Sequence, residues 1–328
     1  MLKKIVFVME CSRIFSLPMT LLSWLVIFIY SLSDSNKIIY GIIALLGLIF
    51  AHLGTNLIDD YFDYKSLIKQ VGFDKLEYLK VSQKTKCRYL VTGSMKESRL
   101  ILFVFIYFLF AFICGLFLYL NCGVGVLYYA CLGALVMLLY PFISRICLSE
   151  LAVALAYGPL LFGGVYYVMT STYSWDVYII CLPTMIMTVI LLYIHTVMDY
   201  EFDIAENKHT VANLFKSQLD SLIILKALLI LAYITPLFLC IFDIIDWQVF
   251  LVYLTLPLAS DLYKSLISYS LNPDETPQRK WYHFPMEKLE YFKERGESSF
   301  MMRMFQARNL MIYYSIFLSI AIVISKLI

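Results

Sequence analysis

Three carboxylates and a carboxamide lie within one short stretch, Thr55-Asn56-Leu57-Ile58-Asp59-Asp60-Tyr61-Phe62-Asp63-Tyr64, at the end of a long apolar run. At 3.6 residues per helical turn, Asn56, Asp59, Asp60 and Asp63 share one face, and their acceptor oxygens attract a cation. An aspartate at the centre of a bilayer costs roughly 2.5–3.5 kcal/mol on insertion scales, so the cluster belongs at a water- or metal-filled cavity near a helix end. A second stretch, His195-Thr196-Val197-Met198-Asp199-Tyr200-Glu201-Phe202-Asp203, also closes an apolar run and sets Asp199 and Asp203 one turn apart. Either motif alone is compatible with solvated charge at the rim of a membrane helix. Together, two acidic faces can clamp one divalent ion or two.

The chain around them is a membrane protein. Hydrophobic residues make up 61% and charged residues 15% of the sequence, and the mean hydropathy is +0.78, which excludes an ordinary soluble enzyme. A formal charge of +2 is small, and no nucleic-acid partner is expected. The 8 cysteines are scattered singly, without the spacing of a metal or disulfide framework, and read as small packing residues. Lys3 and Lys4 precede a short apolar run, but no small-residue cleavage site follows and Arg13 interrupts the segment, so the first helix is expected to be retained.

Segments apolar enough to span fall near 14–33, 38–58, 99–120, 123–144, 151–170, 177–198, 219–241, 247–270 and 309–327. The expected fold is therefore all-α: nine transmembrane helices around a central cavity, in a single domain over 1–328. Pro18 fits the first turn of helix one and Pro141 the end of helix four, whereas Pro159, Pro183, Pro236 and Pro257 fall inside spans. Segment 272–308 is too polar to span and reads as a connector, or less simply as an amphipathic cover over the cavity mouth.

Lysine and arginine concentrate on alternate loops, most densely over 65–99 and 279–308, leaving Lys37 and Lys326 on the other side. That bias places the N-terminus and both acidic motifs in the cytoplasm and the C-terminus outside, as in a bacterial inner-membrane protein. The motifs also echo one another: His52-x3-Asn56-x3-Asp60 in helix two and His195-x3-Asp199-x3-Asp203 in helix six suggest a weak repeat of helices 1–4 in 5–8, plus a ninth. Cations follow each motif, Lys65, Lys69 and Arg88 after the first, Lys208 and His209 after the second. Carboxylates beside cations suit a metal-bridged phosphate.

These elements resemble the UbiA superfamily of intramembrane prenyltransferases, especially its 1,4-dihydroxy-2-naphthoate branch. That branch's first motif, approximately T-N-x-x-N-D-Y-x-D-Y, matches Thr55 to Tyr64, with Asp59 in place of asparagine. Its second, R-D-x-x-x-D-x-x-x-G-K-x-T, matches Met198 to Thr210, with Met198 and Asn207 replacing arginine and glycine. Arg88 to Gly93 resembles the R-x-L-x-x-G element, Tyr140-Pro141 and Glu150 to Pro159 follow, and Asp74 is the nearest match to a further acidic position.

The resemblance implies Mg2+ held by Asn56, Asp59, Asp60, Asp63, Asp199 and Asp203, with Asp60, Asp63, Asp199 and Asp203 catalytic. Lys65, Arg88 and Lys208 would bind the diphosphate of a polyprenyl donor. The implied reaction prenylates an aromatic acceptor within the lipid bilayer, 1,4-dihydroxy-2-naphthoate giving demethylmenaquinone with loss of CO2. Another acceptor, whether a different aromatic, a haem or a lipid glycerol, is the alternative within the family. A cation-coupled transporter is the alternative outside it, disfavoured because both acidic clusters lie at one face rather than at the midplane. His52 and His195 read as packing or hydrogen-bonding residues, since Mg2+ prefers oxygen.

Overall fold

A computed structural model describes residues 2–34, 37–69, 87–205, 208–294 and 296–327. Asp74 and Asn207 lie outside the described residues. The described chain is all-α, apart from one isolated backbone bridge between Ile146 and His209. Among the described residues, nine helical stretches are long and apolar enough to cross a membrane: α1 (Ile14–Ser31), α2 (Ile38–Leu67), α3 (Glu97–Cys122), α4 (Gly125–Ile143), α5 (Ser149–Thr170), α6 (Asp176–Met198), α7 (Gln218–Ile241), α8 (Trp247–Leu271) and α9 (Ser298–Leu327).

Packing is uneven around the ring. The most apolar stretch of α6 is 67% buried and that of α3 only 6%, so α6 is the post against which α1, α5, α7 and α9 pack, while α3 presents Leu102, Phe105, Phe112 and Ile113 outward. Such faces belong against acyl chains, where burial by protein is not required.

Three departures from the sequence reading have identifiable causes. Helix α2 continues to Leu67 rather than ending near 58, so the whole first acidic motif sits on one uninterrupted helix. Helix α9 starts at Ser298 rather than near 309. Its first turns are polar yet buried: Arg303 donates to the Ser265 carbonyl at 2.7 Å, Gln306 Oε1 accepts from Ser265 Oγ at 3.0 Å, and Asn309 donates to the carbonyls of His283 and Pro285, each at 2.7 Å. Hydropathy cannot register a helix whose burial is achieved by hydrogen bonds. Helix α8 opens as a 3-10 run over Trp247–Thr255, which puts Pro257 in the first α-helical turn rather than inside a regular span.

The segment between α8 and α9 is tied down at its middle. Asp261 of α8 accepts from Lys280 at 2.7 Å and Tyr282 at 2.5 Å, and its carboxylate lies 3.0 Å from His283 Nε2. The hydrogen bond to Asp261 holds the Lys280 ammonium above its ordinary pKa. Further on, Lys288, Tyr291 and Phe292 line the large cavity, so this segment contributes to its wall as well as joining two helices.

Candidate active site

Both acidic helix ends open onto one cavity of about 2880 Å³. Asn56, Asp59, Asp60 and Asp63 line it from α2, and Asp199 and Asp203 from the end of α6. Asp59, Asp60, Asp199 and Asp203 are all buried.

On the α2 side, protein cations already meet the carboxylates. Arg13 pairs with Asp59 at 3.3 Å and also with Asp60. Its backbone adopts φ 56, ψ 49, a left-handed conformation unusual for a side chain of this size. That turn separates the short helix Leu2–Cys11 from α1 and directs the guanidinium at α2. Asp60 also accepts from the Tyr89 hydroxyl at 3.0 Å, and burial raises the Tyr89 phenol, keeping it a proton donor. Arg145 reaches Asp63 at 3.0 Å and Ser66 at 3.1 Å. Asn56 spends both amide hydrogens, on the Ser12 carbonyl at 3.0 Å and Ser16 Oγ at 3.1 Å, which leaves Oδ1 as its acceptor.

On the α6 side, the regular helix stops at Met198 and Asp199 closes it at φ −94, ψ 6. A second short helix, Tyr200–Ala205, carries Asp203. The expected single helical face is therefore broken, but the Asp203 amide still donates to the Asp199 carbonyl at 2.8 Å, preserving the one-turn spacing. His195 Nδ1 lies 3.2 Å from the Asp199 carboxylate. Downstream, the Cys147 amide donates to the His209 carbonyl at 2.9 Å, joining the loop that bears Arg145 to the one that bears Lys208.

Arg88 and Lys208 line the cavity. Lys65 is not brought into the lining: its ammonium sits 2.6 Å from Glu97 and beside the Tyr61 ring. Sequence reasoning missed Arg13, Arg145 and Tyr89. An arginine interrupting an apolar stretch was a usable signal for Arg13, whereas Arg145 blended with other loop cations and Tyr89 had no signal of its own.

Among the described residues, no three His, Cys, Asp or Glu side chains converge into a ready metal cage. The donor set is nevertheless all oxygen, spread over two helix ends on one cavity. It fits a hard divalent ion that binds through a few carboxylates and shares its remaining positions with water and substrate phosphate.

Comparisons with known proteins bear on the family and the fold. The model of the UbiA prenyltransferase family matches residues 16–287. No curated protein sequence matches significantly. A digeranylgeranylglyceryl phosphate synthase structure is similar at 14% identity, with 98% of this chain and 99% of that one covered and a TM-score of 0.58. The apo structure of a UbiA homolog from Aeropyrum pernix K1 gives 15% identity, 93% and 97% coverage and a TM-score of 0.55. A UbiA homolog from Archaeoglobus fulgidus, bound to DMAPP and Mg2+, gives 14% identity, 92% and 98% coverage and a TM-score of 0.53. At such identities the structural likeness concerns the fold.

Proposed function

The chain belongs to the UbiA prenyltransferase family, and from that premise we propose that this membrane prenyltransferase moves a polyprenyl group from its diphosphate to 1,4-dihydroxy-2-naphthoate. The product is demethylmenaquinone, formed with loss of CO2. One observation carries the reading: two acidic helix ends and the cations Arg88, Arg145 and Lys208 line a single cavity that continues into apolar walls. The Thr55-Asn56 form of the first motif supports the naphthoate acceptor.

Asn56, Asp59, Asp60, Asp63, Asp199 and Asp203 would hold Mg2+, the ion bound together with DMAPP or with GPP in structures of a UbiA homolog from Archaeoglobus fulgidus. When bound, Mg2+ supplies positive charge to the leaving diphosphate. Arg88 and Lys208 bind the remaining phosphate oxygens, and Arg145, now 3.0 Å from Asp63, is placed to exchange that carboxylate for phosphate. The rings of Phe108, Tyr119, Tyr129, Tyr140 and Tyr157 line the same cavity. Their π faces shelter the allylic cation and their bulk excludes water until the acceptor carbon attacks. The lysine and arginine distribution supports a cytoplasmic N-terminus and site, an outside C-terminus and a bacterial inner membrane.

The test is mass spectrometry of products from the purified chain in detergent with Mg2+, mixed polyprenyl diphosphates and 1,4-dihydroxy-2-naphthoate. Demethylmenaquinone should form with CO2 loss and disappear with EDTA. Diphosphate release without a prenylated naphthoquinone would move the acceptor elsewhere; absence of both from folded protein would overturn the proposal.

A further inference from the structure

One turn deeper in α2 than Asn56, and two turns deeper than Asp60, His52 sits in the cavity wall at the centre of a polar cluster drawn from α1, α2 and α5. Its Nε2 lies 2.7 Å from Ser16 Oγ. Its Nδ1 lies 2.7 Å from both Thr20 Oγ1 and the Tyr157 hydroxyl. Ser16 Oγ is placed to give its hydrogen to the Arg13 carbonyl at 2.7 Å and to accept from Asn56 at 3.1 Å. On that network we assign the ring proton to Nε2, donated to Ser16, which leaves Nδ1 as an acceptor.

Two hydroxyls then address one ring lone pair. Thr20 is buried, whereas Tyr157 is half-buried and lines the cavity. Thr20 and the Tyr157 hydroxyl are also hydrogen-bonded to each other, so Thr20 can donate to Tyr157 while Tyr157 donates to Nδ1. That arrangement leaves the Tyr157 oxygen one lone pair to offer a cavity ligand.

The backbone beside Tyr157 is irregular. Residues Ala156–Leu160 form a π turn in α5, with Gly158 at φ −98, ψ −110 followed by Pro159. A Cβ on Gly158 would meet Met185 Sδ at 2.6 Å, so a side chain there would displace the Met185 tail. The π turn rotates the helix at Tyr157, and such turns concentrate at functional sites.

We propose that the Tyr157 hydroxyl, oriented by His52, is the hydrogen-bonding contact for a ring hydroxyl of the aromatic acceptor. The inference rests on the aromatic-acceptor reading above. A rise of 1.5 Å per residue sets the His52 level about 6 Å below Asn56 and about 12 Å below Asp60. An acceptor carbon must come within about 3–3.5 Å of the donor carbon beside the acidic ends. We place its ring toward Tyr157, which lines the same cavity. Tyr157 touches the acceptor; His52 is a positioning residue.

The experiment compares 1,4-dihydroxy-2-naphthoate with 1-hydroxy-2-naphthoate and 4-hydroxy-2-naphthoate, each measured as substrate or competitor of the full chain. One missing hydroxyl should cost the original chain ~10-fold in affinity. In Tyr157→Phe, the parent acceptor's KM should rise ~10-fold, the penalty for that missing hydroxyl should vanish, and the donor KM should stay unchanged. His52→Leu should reproduce the rise in acceptor KM, and His52→Asn, whose amide reaches the place of Nδ1, should recover most of it. Equal weakening of all three ligands by Tyr157→Phe, or a change in donor KM alone, would overturn the inference while leaving the prenyltransferase reading intact. Failure of the unsubstituted chain to prenylate any aromatic would overturn the parent reading and this inference with it.

Discussion

The end of α2 and the end of α6 carry the same chemistry in unlike settings. Along α2 the carboxylates stand on an unbroken helix, with Arg13, Arg145 and Tyr89 in contact with them. At α6 the helix breaks at Asp199, whose carboxylate lies 3.2 Å from His195 Nδ1, a side chain 50% exposed. The α2 end carries compensating charge from Arg13, held by a strained turn that costs on the order of 1–2 kcal/mol.

The largest effects should test whether the two ends serve one substrate despite this difference. Asp63→Asn and Asp199→Asn should each lower kcat by ~10²–10³-fold, the scale on which a group that stabilises transition-state charge acts. Steady-state turnover of folded, membrane-inserted variants measures both. Full activity in either would reduce the clamp to one side.

Next in size is stability, where the ends should part. Arg13→Ala strands the buried Asp60 and should cost ~3–5 kcal/mol, whereas His195→Ala, removing a half-exposed partner, should cost ~0–1 kcal/mol. Thermal unfolding in detergent compares them. Asp60→Asn added to Arg13→Ala should recover part of the loss, and equal losses in the two single variants would erase the contrast. Smaller again, Arg88→Ala should raise donor KM by ~10–100-fold, the worth of one charged hydrogen bond. An effect confined to the acceptor KM would relocate the diphosphate.

How much of this was legible depended on how far the relevant partners lie along the chain. A bilayer demands runs of about 20 apolar residues, so the spans could be read directly, and a helical period placed Asn56, Asp59, Asp60 and Asp63 together. Arg13 and Arg145 meet carboxylates 46 and 82 residues away, which no local pattern encodes. Arg303, Gln306 and Asn309 made the start of α9 look like a loop because their burial depends on acceptors in α8 and the segment before α9. Gly158-Pro159 signalled an irregular helix, and the form it takes, a π turn over Ala156–Leu160, is seen only in the fold.

The smallest expected effect distinguishes position in sequence from position in space. Lys65 follows Asp63 by two residues and has the charge a diphosphate needs. In the fold, however, the helix turns its ammonium to Glu97 at 2.6 Å, outside the cavity lining, while Lys208 arrives there from a distant loop. Lys65→Ala should change donor KM by less than about twofold, as expected for an exposed ion pair remote from substrate. Lys208→Ala should raise donor KM by ~10-fold or more, because it removes a charged contact to phosphate. Measuring donor KM for both variants at fixed acceptor and Mg2+ makes the contrast direct. A larger loss at Lys65 than at Lys208 would mean that α2 rotates when donor binds, and the charge balance drawn between the two helix ends would then describe a resting arrangement rather than the working one.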